Sequence, residues 1–399
     1  MIAVVAIGSM FASSAAEAGG FAIREQSASG LGTAFAGIAA GGDLSSIFWN
    51  PAGVSLARGI EAEADGAVIL PNSHLTGSAS LEPVPLLQPL FGSSVPLSSL
   101  DSNSGELADP AIVPAMYGAM PINERLSVGF GFNGPFGLVT EPDNENWAGK
   151  YEAETSKLRT YDFNPVASYR VTPNFVVAAG AQIEFAKAEL KSAFPVIGSP
   201  LTVVSDLQAP SPNIVTKGDD FGFGYTLGVL WHPWSGTEIG SGFRSSIDHN
   251  LDGHIFVAGM GALGGARTAV NLETPEIATA SVRQSISERL TLLGTVEWTN
   301  WSELNQVAIN ARTSNPNLGA TAGSPITVLP LNWHDGWFFS GGAEFALNDR
   351  TLLRSGVAYE ESPIQNAAER TARDPDTNRI WLSFGAAYNW NAMTSVDLG

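Results

Sequence analysis

Residues 175–185 read Phe175-Val176-Val177-Ala178-Ala179-Gly180-Ala181-Gln182-Ile183-Glu184-Phe185, with an apolar side chain at every odd position and Gly180, Gln182 and Glu184 among the even ones. Side chains alternate sides along an extended chain, so this run is a β-strand with one unbroken apolar face. The same period-two stripe recurs in Leu126, Val128, Phe130 and Phe132, in Phe223, Tyr225, Leu227, Val229 and Trp231, and in Ile380, Leu382, Phe384, Ala386, Tyr388 and Trp390. A soluble sandwich and a membrane barrel both alternate in this way. The stripes alone leave open whether the apolar face meets a core or lipid.

The connections between strands separate the two. Short polar turns recur at 122–125, 172–174, 233–237, 287–289, 348–350 and 391–394, and the strand-like stretches between them are joined by long segments such as 141–155, 192–219 and 361–378. Short turns at one end and long loops at the other form the pattern of an antiparallel transmembrane β-barrel of the Gram-negative outer membrane, and aromatic residues at strand ends suit its interfacial girdles. Strands near 59–70 and 111–120, two per later repeat and a last one beginning at Ser395 make about thirteen starts. Bacterial barrels carry an even number, and an open edge would leave unpaired backbone groups in hydrocarbon. The expectation is therefore an all-β barrel of fourteen strands, with the last strand and part of the thirteenth missing from this chain.

Composition agrees with many short strands. Hydrophobic residues make up 44% and charged residues 15% of the 399, with 43 Gly, too apolar for a disordered chain and too Gly-rich for a helical bundle. The one long apolar run covers residues 1–16, and Ala16-Glu17-Ala18 supplies small residues before a cleavage point. Residues 1–18 thus read as a signal peptide, clipped at its start because no basic head precedes the apolar run. The absence of cysteine excludes disulfide and thiol chemistry, and a net charge of −19 argues against a nucleic-acid partner.

Residues 19–57 do not alternate. Ser27, Ala28, Ser29, Gly30, Gly32, Ala34, Ala36 and Gly37 crowd small side chains together, and Asn50-Pro51 pairs a good helix N-cap with a good first helical residue. This segment is expected to pack as a helical hatch inside a barrel formed by residues 58–399, with an ordinary N-terminal cap as the plainer alternative.

On Gly20-Phe21, Ser29-Gly30-Leu31-Gly32, Asn50-Pro51-Ala52, Phe221-Gly222-Phe223-Gly224-Tyr225, Trp298-Thr299-Asn300-Trp301-Ser302, Glu361-Ser362-Pro363 and Asp374-Pro375-Asp376-Thr377-Asn378-Arg379, occurring in this order, the chain resembles the FadL/TodX family of outer-membrane transporters. The resemblance implies a fourteen-stranded barrel plugged by an N-terminal hatch, with Asn50, Pro51 and Ala52 as the hatch motif. It implies a ligand pocket at Phe21, at Lys187, which stands where fatty-acid transporters carry a basic residue, and at His334, a weaker cation at pH 7 in the second basic position. In Asn133-Gly134-Pro135-Phe136-Gly137, Pro135 has no ladder donor, so the strand from Leu126 either bends there or ends. The resemblance implies an inward kink that opens the wall laterally.

No catalytic or metal constellation stands out. His74, His232, His249, His254 and His334 lack metal-ligand spacing, although His249 and His254 share a segment that reads as a loop. A lipase whose Ser and His meet only in the fold is the enzymatic alternative. No cofactor is implied. The function expected is passive uptake of long-chain fatty acids or similar hydrophobic molecules by a monomer lying among outer-membrane lipids. An aromatic or alkane hydrocarbon channel is the alternative within that class, and a structural or adhesive surface barrel is the alternative outside it.

Overall fold

A computed structural model of the chain describes residues 19–78, 80–81, 95–96, 100–193, 213–258, 264–366 and 369–399. The signal peptide read at 1–18 and most of the loop read at 192–219 lie outside the described residues. Eighteen strands form one sheet, and its pairings are antiparallel throughout.

The ladder follows chain order. It begins with β1 (Glu61–Ile69), β2 (Ala111–Pro121), β3 (Leu126–Asn133) and β4 (Gly137–Thr140). Both β3 and β4 pair with β5 (Thr155–Thr172), followed by β6 (Phe175–Ala193) and β7 (Asn213–Trp231). Two collinear pieces, β8 (Thr237–Arg244) and β9 (Ile247–Val257), then share β7 as neighbour. The next strand divides into β10 (Gly265–Thr274) beside β9 and β11 (Ile277–Ser285) beside β8. After β12 (Leu290–Thr299), β13 (Gln306–Ala311) and β14 (Pro325–Pro330), the ladder closes its sequence with β15 (Gly336–Asn348), β16 (Thr351–Glu360), β17 (Arg379–Asn391) and β18 (Thr394–Leu398).

Polarity across this sheet is inverted relative to a water-soluble sandwich. Phe223 is 72% and Phe384 79% exposed, whereas the carboxylates Asp162 and Glu184 are fully buried on the other face. Only a hydrocarbon solvent outside makes that arrangement favourable. Trp231, Trp234 and Trp390 lie exposed near the short turns and Trp337 and Tyr359 towards the long connections, as two interfacial bands require.

The hairpin of β6 and β7 is longer than its composition suggests. Its strands stay paired from Phe175 with Trp231 out to Ala193 with Asn213, so the loop read at 192–219 is mostly strand at its second end. Nineteen residues span roughly 60 Å at about 3.3 Å per residue, well beyond an apolar band of about 25 Å. The outer part therefore rises into water, where Lys217 pairs with Glu189 at 2.9 Å.

Residues 19–57 lie against the polar face. They form α1 (Ala28–Gly32) and 3₁₀ turns at Ile38–Ala40, Leu44–Phe48 and Pro51–Leu56. Phe35, Ile47, Phe48, Trp49 and Val54 cluster with one another and with small wall residues such as Ala115 and Ala119. The wall also bonds their backbone: Gly37 N–H donates to Thr295 Oγ1 at 2.8 Å, and Tyr117 Oη donates to the Gln26 carbonyl at 2.8 Å. The helix α1 touches β1, β17 and β18, which brings both ends of the ladder beside one short element.

Close seating needs wall positions without side chains. Ala178, Gly228 and Gly242 stand in register across β6, β7 and β8. A Cβ on Gly242 would run into the Trp49 carbonyl, and one on Gly228 into the Asn50 side chain. Replacing Gly242 by Val is expected to lift this part of the segment at an overpacking cost of about 1–3 kcal/mol. Limited proteolysis in detergent should then cut within residues 19–57 faster than in the wild type. Gly341→Ala, where a Cβ meets open space, should leave the rate unchanged.

Candidate functional site

A cavity of about 870 Å³ lies at the end of the long connections, between residues of the 141–155 and 361–378 segments and the inner faces of β9, β10 and β13. Leu251, Ile255, Val270, Leu272, Val307 and Ile309 make its wall apolar. These are the inward positions of strands whose outward positions are largely polar, Asp248, Asn250, Asp252, Arg267 and Asn271 among them, so at this end the sheet turns its apolar side inward. A volume in the range of about 300–1,000 Å³ suits one small lipophile.

Phe21 forms the floor on the hatch side. Its ring meets Trp301 at 4.7 Å, Trp333 at 5.5 Å and Phe136 at 5.8 Å between centroids, and all four side chains are buried. Gly20 before it adopts a left-handed backbone, φ 59°, that packs flat beneath Trp333 and Trp301. Asp376 holds that turn in place: Gly20 N–H donates to Asp376 Oδ2 at 3.0 Å and Ser362 Oγ to the same oxygen at 2.7 Å. Further along, Arg24 donates to Glu297 at 2.6 Å and Glu360 at 2.9 Å while stacking 3.8 Å over Phe338.

The wall is interrupted beside this turn. Pairing of β2 with β3 stops at Met116 and Phe132, and β4 resumes at Gly137 paired with β5 alone. Residues 134–136 turn inward instead; Phe136 stays bonded to Thr160 of β5, while residues 21–26 take up backbone groups of Gly134, Pro135 and Gly137. Ile23 N–H donates to the Pro135 carbonyl at 2.8 Å, Gly137 N–H to the Phe21 carbonyl at 2.8 Å, and Gln26 Nε2 to the Gly134 carbonyl at 2.7 Å. Asn133 Nδ2 donates to Tyr117 Oη at 2.6 Å, and Phe136 joins the Phe21 cluster. The segment thus connects the cavity floor to a place where β2 has no neighbour on that side.

Asn50 joins two parts of the hatch to the sheet. Its Oδ1 accepts from Ala52 N–H at 3.0 Å, and its Nδ2 donates to the Ala39 carbonyl at 2.7 Å and the Val229 carbonyl at 2.8 Å. Pro51 opens the following 3₁₀ turn, and Ala52 is buried against Val176, Ala178 and Leu230. No other residue type supplies an acceptor and two donors in that small space.

Three expectations need correction. Lys187 does not enter the cavity: it is exposed and shares a side of β6 with Ile183 and Phe185, while Ala186, Ala188 and Leu190 turn inward. His334 is exposed and only its backbone is tied in, to the Pro363 carbonyl at 3.0 Å; its neighbour Trp333 lines the cavity instead. The segment with His249 and His254 is strand β9 rather than a loop, which sends the two rings to opposite faces. His249 is buried and bonds Glu184 at 3.0 Å, and among the described residues no cluster of three metal-ligating side chains occurs. The polar groups that line the cavity, among them Tyr151, Glu152, Ser156, Lys157, Arg373 and Asp374, come mainly from its loop end and carry no local sequence signature.

Comparison with known proteins converges on one family. A family model described as outer membrane protein transport protein (OMPP1/FadL/TodX) matches residues 9–399. A putative outer membrane protein of Neisseria meningitidis serogroup B is 27% identical, over 99% of this chain and 88% of its own. The long-chain fatty acid transport protein of Escherichia coli is 25% identical, over 95% of this chain and 85% of its own. A solved structure of a Pseudomonas aeruginosa FadL homologue superposes with a TM-score of 0.77 at 22% identity, covering 94% of this chain and 88% of that one.

Burial, opposed by the hydrogen bonds from Ser362 and Gly20, pushes the Asp376 carboxyl up to about 7. Between its ordinary 3.8 and about 7, the folded chain holds a proton that the unfolded chain has lost, so this group makes stability fall as pH rises through that window. Asp376→Asn keeps an acceptor for Gly20 N–H and removes the titration. The variant is expected to melt a few degrees above wild type at pH 8 and to depend less on pH between 4 and 7. Parallel melting curves for both proteins across that range would contradict this.

Proposed function

The chain belongs to the OMPP1/FadL/TodX family of outer-membrane transport proteins, and on that premise we propose that it takes up long-chain fatty acids or similar hydrophobic molecules passively, through a hatch-plugged barrel with a lateral exit. Members of the family are transporters rather than enzymes, and the proposed path needs no cofactor. A lipophile partitions from the outer loops into the cavity, where each buried CH₂ contributes on the order of 0.8 kcal/mol and a long acyl chain on the order of 10 kcal/mol. Residues 19–57 plug the interior against water-soluble solutes. Movement of the first hatch residues then frees the break at 133–137, and the molecule leaves sideways into the lipid.

One observation carries this reading: Phe21 lines the cavity while its carbonyl, Ile23 N–H and the Gln26 side chain hold the backbone of the broken strand. Occupancy of the cavity and the state of the wall therefore share the same few side chains. An aromatic or alkane hydrocarbon is the second reading, favoured by the apolar walls and by the outward placement of Lys187 and His334.

Two variants test the path. Deleting residues 19–57 is expected to turn a non-conducting protein into a stable pore in planar bilayers, and unchanged conductance would remove the plug. Deleting residues 134–136, so that β3 and β4 run on as one strand, is expected to lower cellular uptake of labelled oleate at least tenfold while the protein still reaches the membrane. Undiminished uptake would remove the lateral exit.

A further inference from the structure

On the outward face of the sheet, towards the long connections, an aromatic row gives way to a charged one. Tyr161 of β5, Phe185 of β6 and Phe221 of β7 stand side by side in register, with the Phe185 and Phe221 rings 4.9 Å apart between centroids. Outward aromatic side chains in such a row mark the boundary between hydrocarbon and head groups. The next outward positions, about 7 Å further along each strand, are Arg159, Lys187 and Asp219. One step beyond these, Lys217 stands in water, paired with Glu189 at 2.9 Å. Arg159 and Lys187 therefore lie at the depth of the lipid head groups.

These two cations are direct cross-strand partners, and both are exposed. Like charges placed opposite one another repel, and neither of these makes an ion pair within 4.0 Å among the described residues. Asp219 follows Lys187 in the row but stays beyond that distance, and Asp252 beside it is taken by Arg267 at 3.6 Å and Arg312 at 3.1 Å. In a chain whose net charge is −19, two adjacent cations without a carboxylate of their own form a local reversal of sign that an external anion fits. Arg159 also faces Gly137 across the ladder, so the pair stands at the edge of the break at 133–137.

We propose that Arg159 and Lys187 hold the phosphate of an outer-leaflet glycolipid against the outside of the wall. The outer leaflet of a Gram-negative outer membrane presents acylated sugars that carry phosphate monoesters at this depth. A phosphate monoester brings a charge of about −1.5 to −2 and three acceptor oxygens. The planar guanidinium of Arg159 takes two of those oxygens in parallel bonds, and the Lys187 ammonium adds a point charge on a flexible stem. The acyl chains of the same molecule then lie along the apolar face below, over Tyr161, Phe185 and Phe221. Such a lipid is a resident partner of the wall, and its binding does not depend on what the cavity carries.

The test measures retention of lipid A, a diglucosamine with phosphate monoesters and acyl chains, by the purified full chain in detergent, read by native mass spectrometry beside lipid A stripped of its phosphates. Wild type is expected to hold the phosphorylated form about tenfold or more tightly than the stripped form, and inorganic phosphate at equal concentration should not displace it. Replacing both cations, Arg159→Gln with Lys187→Gln, should abolish that preference, and because both side chains are exposed the fold should persist. Arg159→Lys should retain part of it. Arg289→Gln, which removes an exposed cation at the short-turn end, should leave it unchanged. Equal retention of the two lipid forms by wild type, or a preference that survives the double substitution, would overturn the assignment. Displacement by inorganic phosphate at equal concentration would show a site for a free anion and overturn it as well.

Discussion

The hydrogen bonds between residues 21–26 and the broken strand are the contact on which the rest of the structure depends. Inside a bilayer every backbone N–H and C=O must be paired, because each unpaired group costs several kcal/mol. Pro135 has no N–H for a ladder, and within the break only Phe136 keeps its bond to β5, its carbonyl accepting from Thr160 N–H at 3.0 Å. The wall tolerates the break only because Ile23, Gln26 and the Phe21 carbonyl take over the missing partners. Residues 21–26 are thereby part of the wall as well as of the segment packed against it.

Residues 19–57 are held to the sheet largely by polar contacts. Their apolar side chains face mainly one another, while their contact with the sheet runs through hydroxyls such as Thr295 and Ser281 and ion pairs such as Arg24 with Glu297. Polar contacts of this kind can be exchanged for water at small net cost, unlike an interdigitated core. Arg244 shows the same economy, donating to Asp162 at 2.6 Å and to the Phe48 carbonyl at 3.2 Å. Bare patches at Gly228 and Gly242 let the two surfaces approach without interlocking.

Strands such as β6, β7 and β17 were legible because lipid outside and polar or small groups inside impose a period of two, whereas β9 and β10 alternate with the opposite polarity. Phe223 and Leu382 announce their face by residue type alone, and the short turns place each strand start within a few residues. The error at Lys187 arose where that rule was set aside: Ile183 and Phe185 share its parity and point to lipid, so Lys187 points outward as well. Alignment to a family position overrode a signal already present in the alternation. The Asp376 latch and the glycine seats were not legible, because each joins residues hundreds of positions apart or depends on a neighbour's missing side chain. Gly20 and Asp376 are coupled only by the fold.

In the proposed function a lipophile passes from the cavity to the membrane through the break at residues 133–137. Photo-crosslinking during uptake tests it most directly, with a palmitic acid analogue carrying a diazirine near its methyl end and the labelled peptides identified by mass spectrometry. Label is expected on cavity residues and on both borders of the break, residues 111–115 and 133–140, with outer-membrane lipid as the next acceptor. Label confined to the cavity and to the short-turn end of the interior, with none at the break, would contradict it.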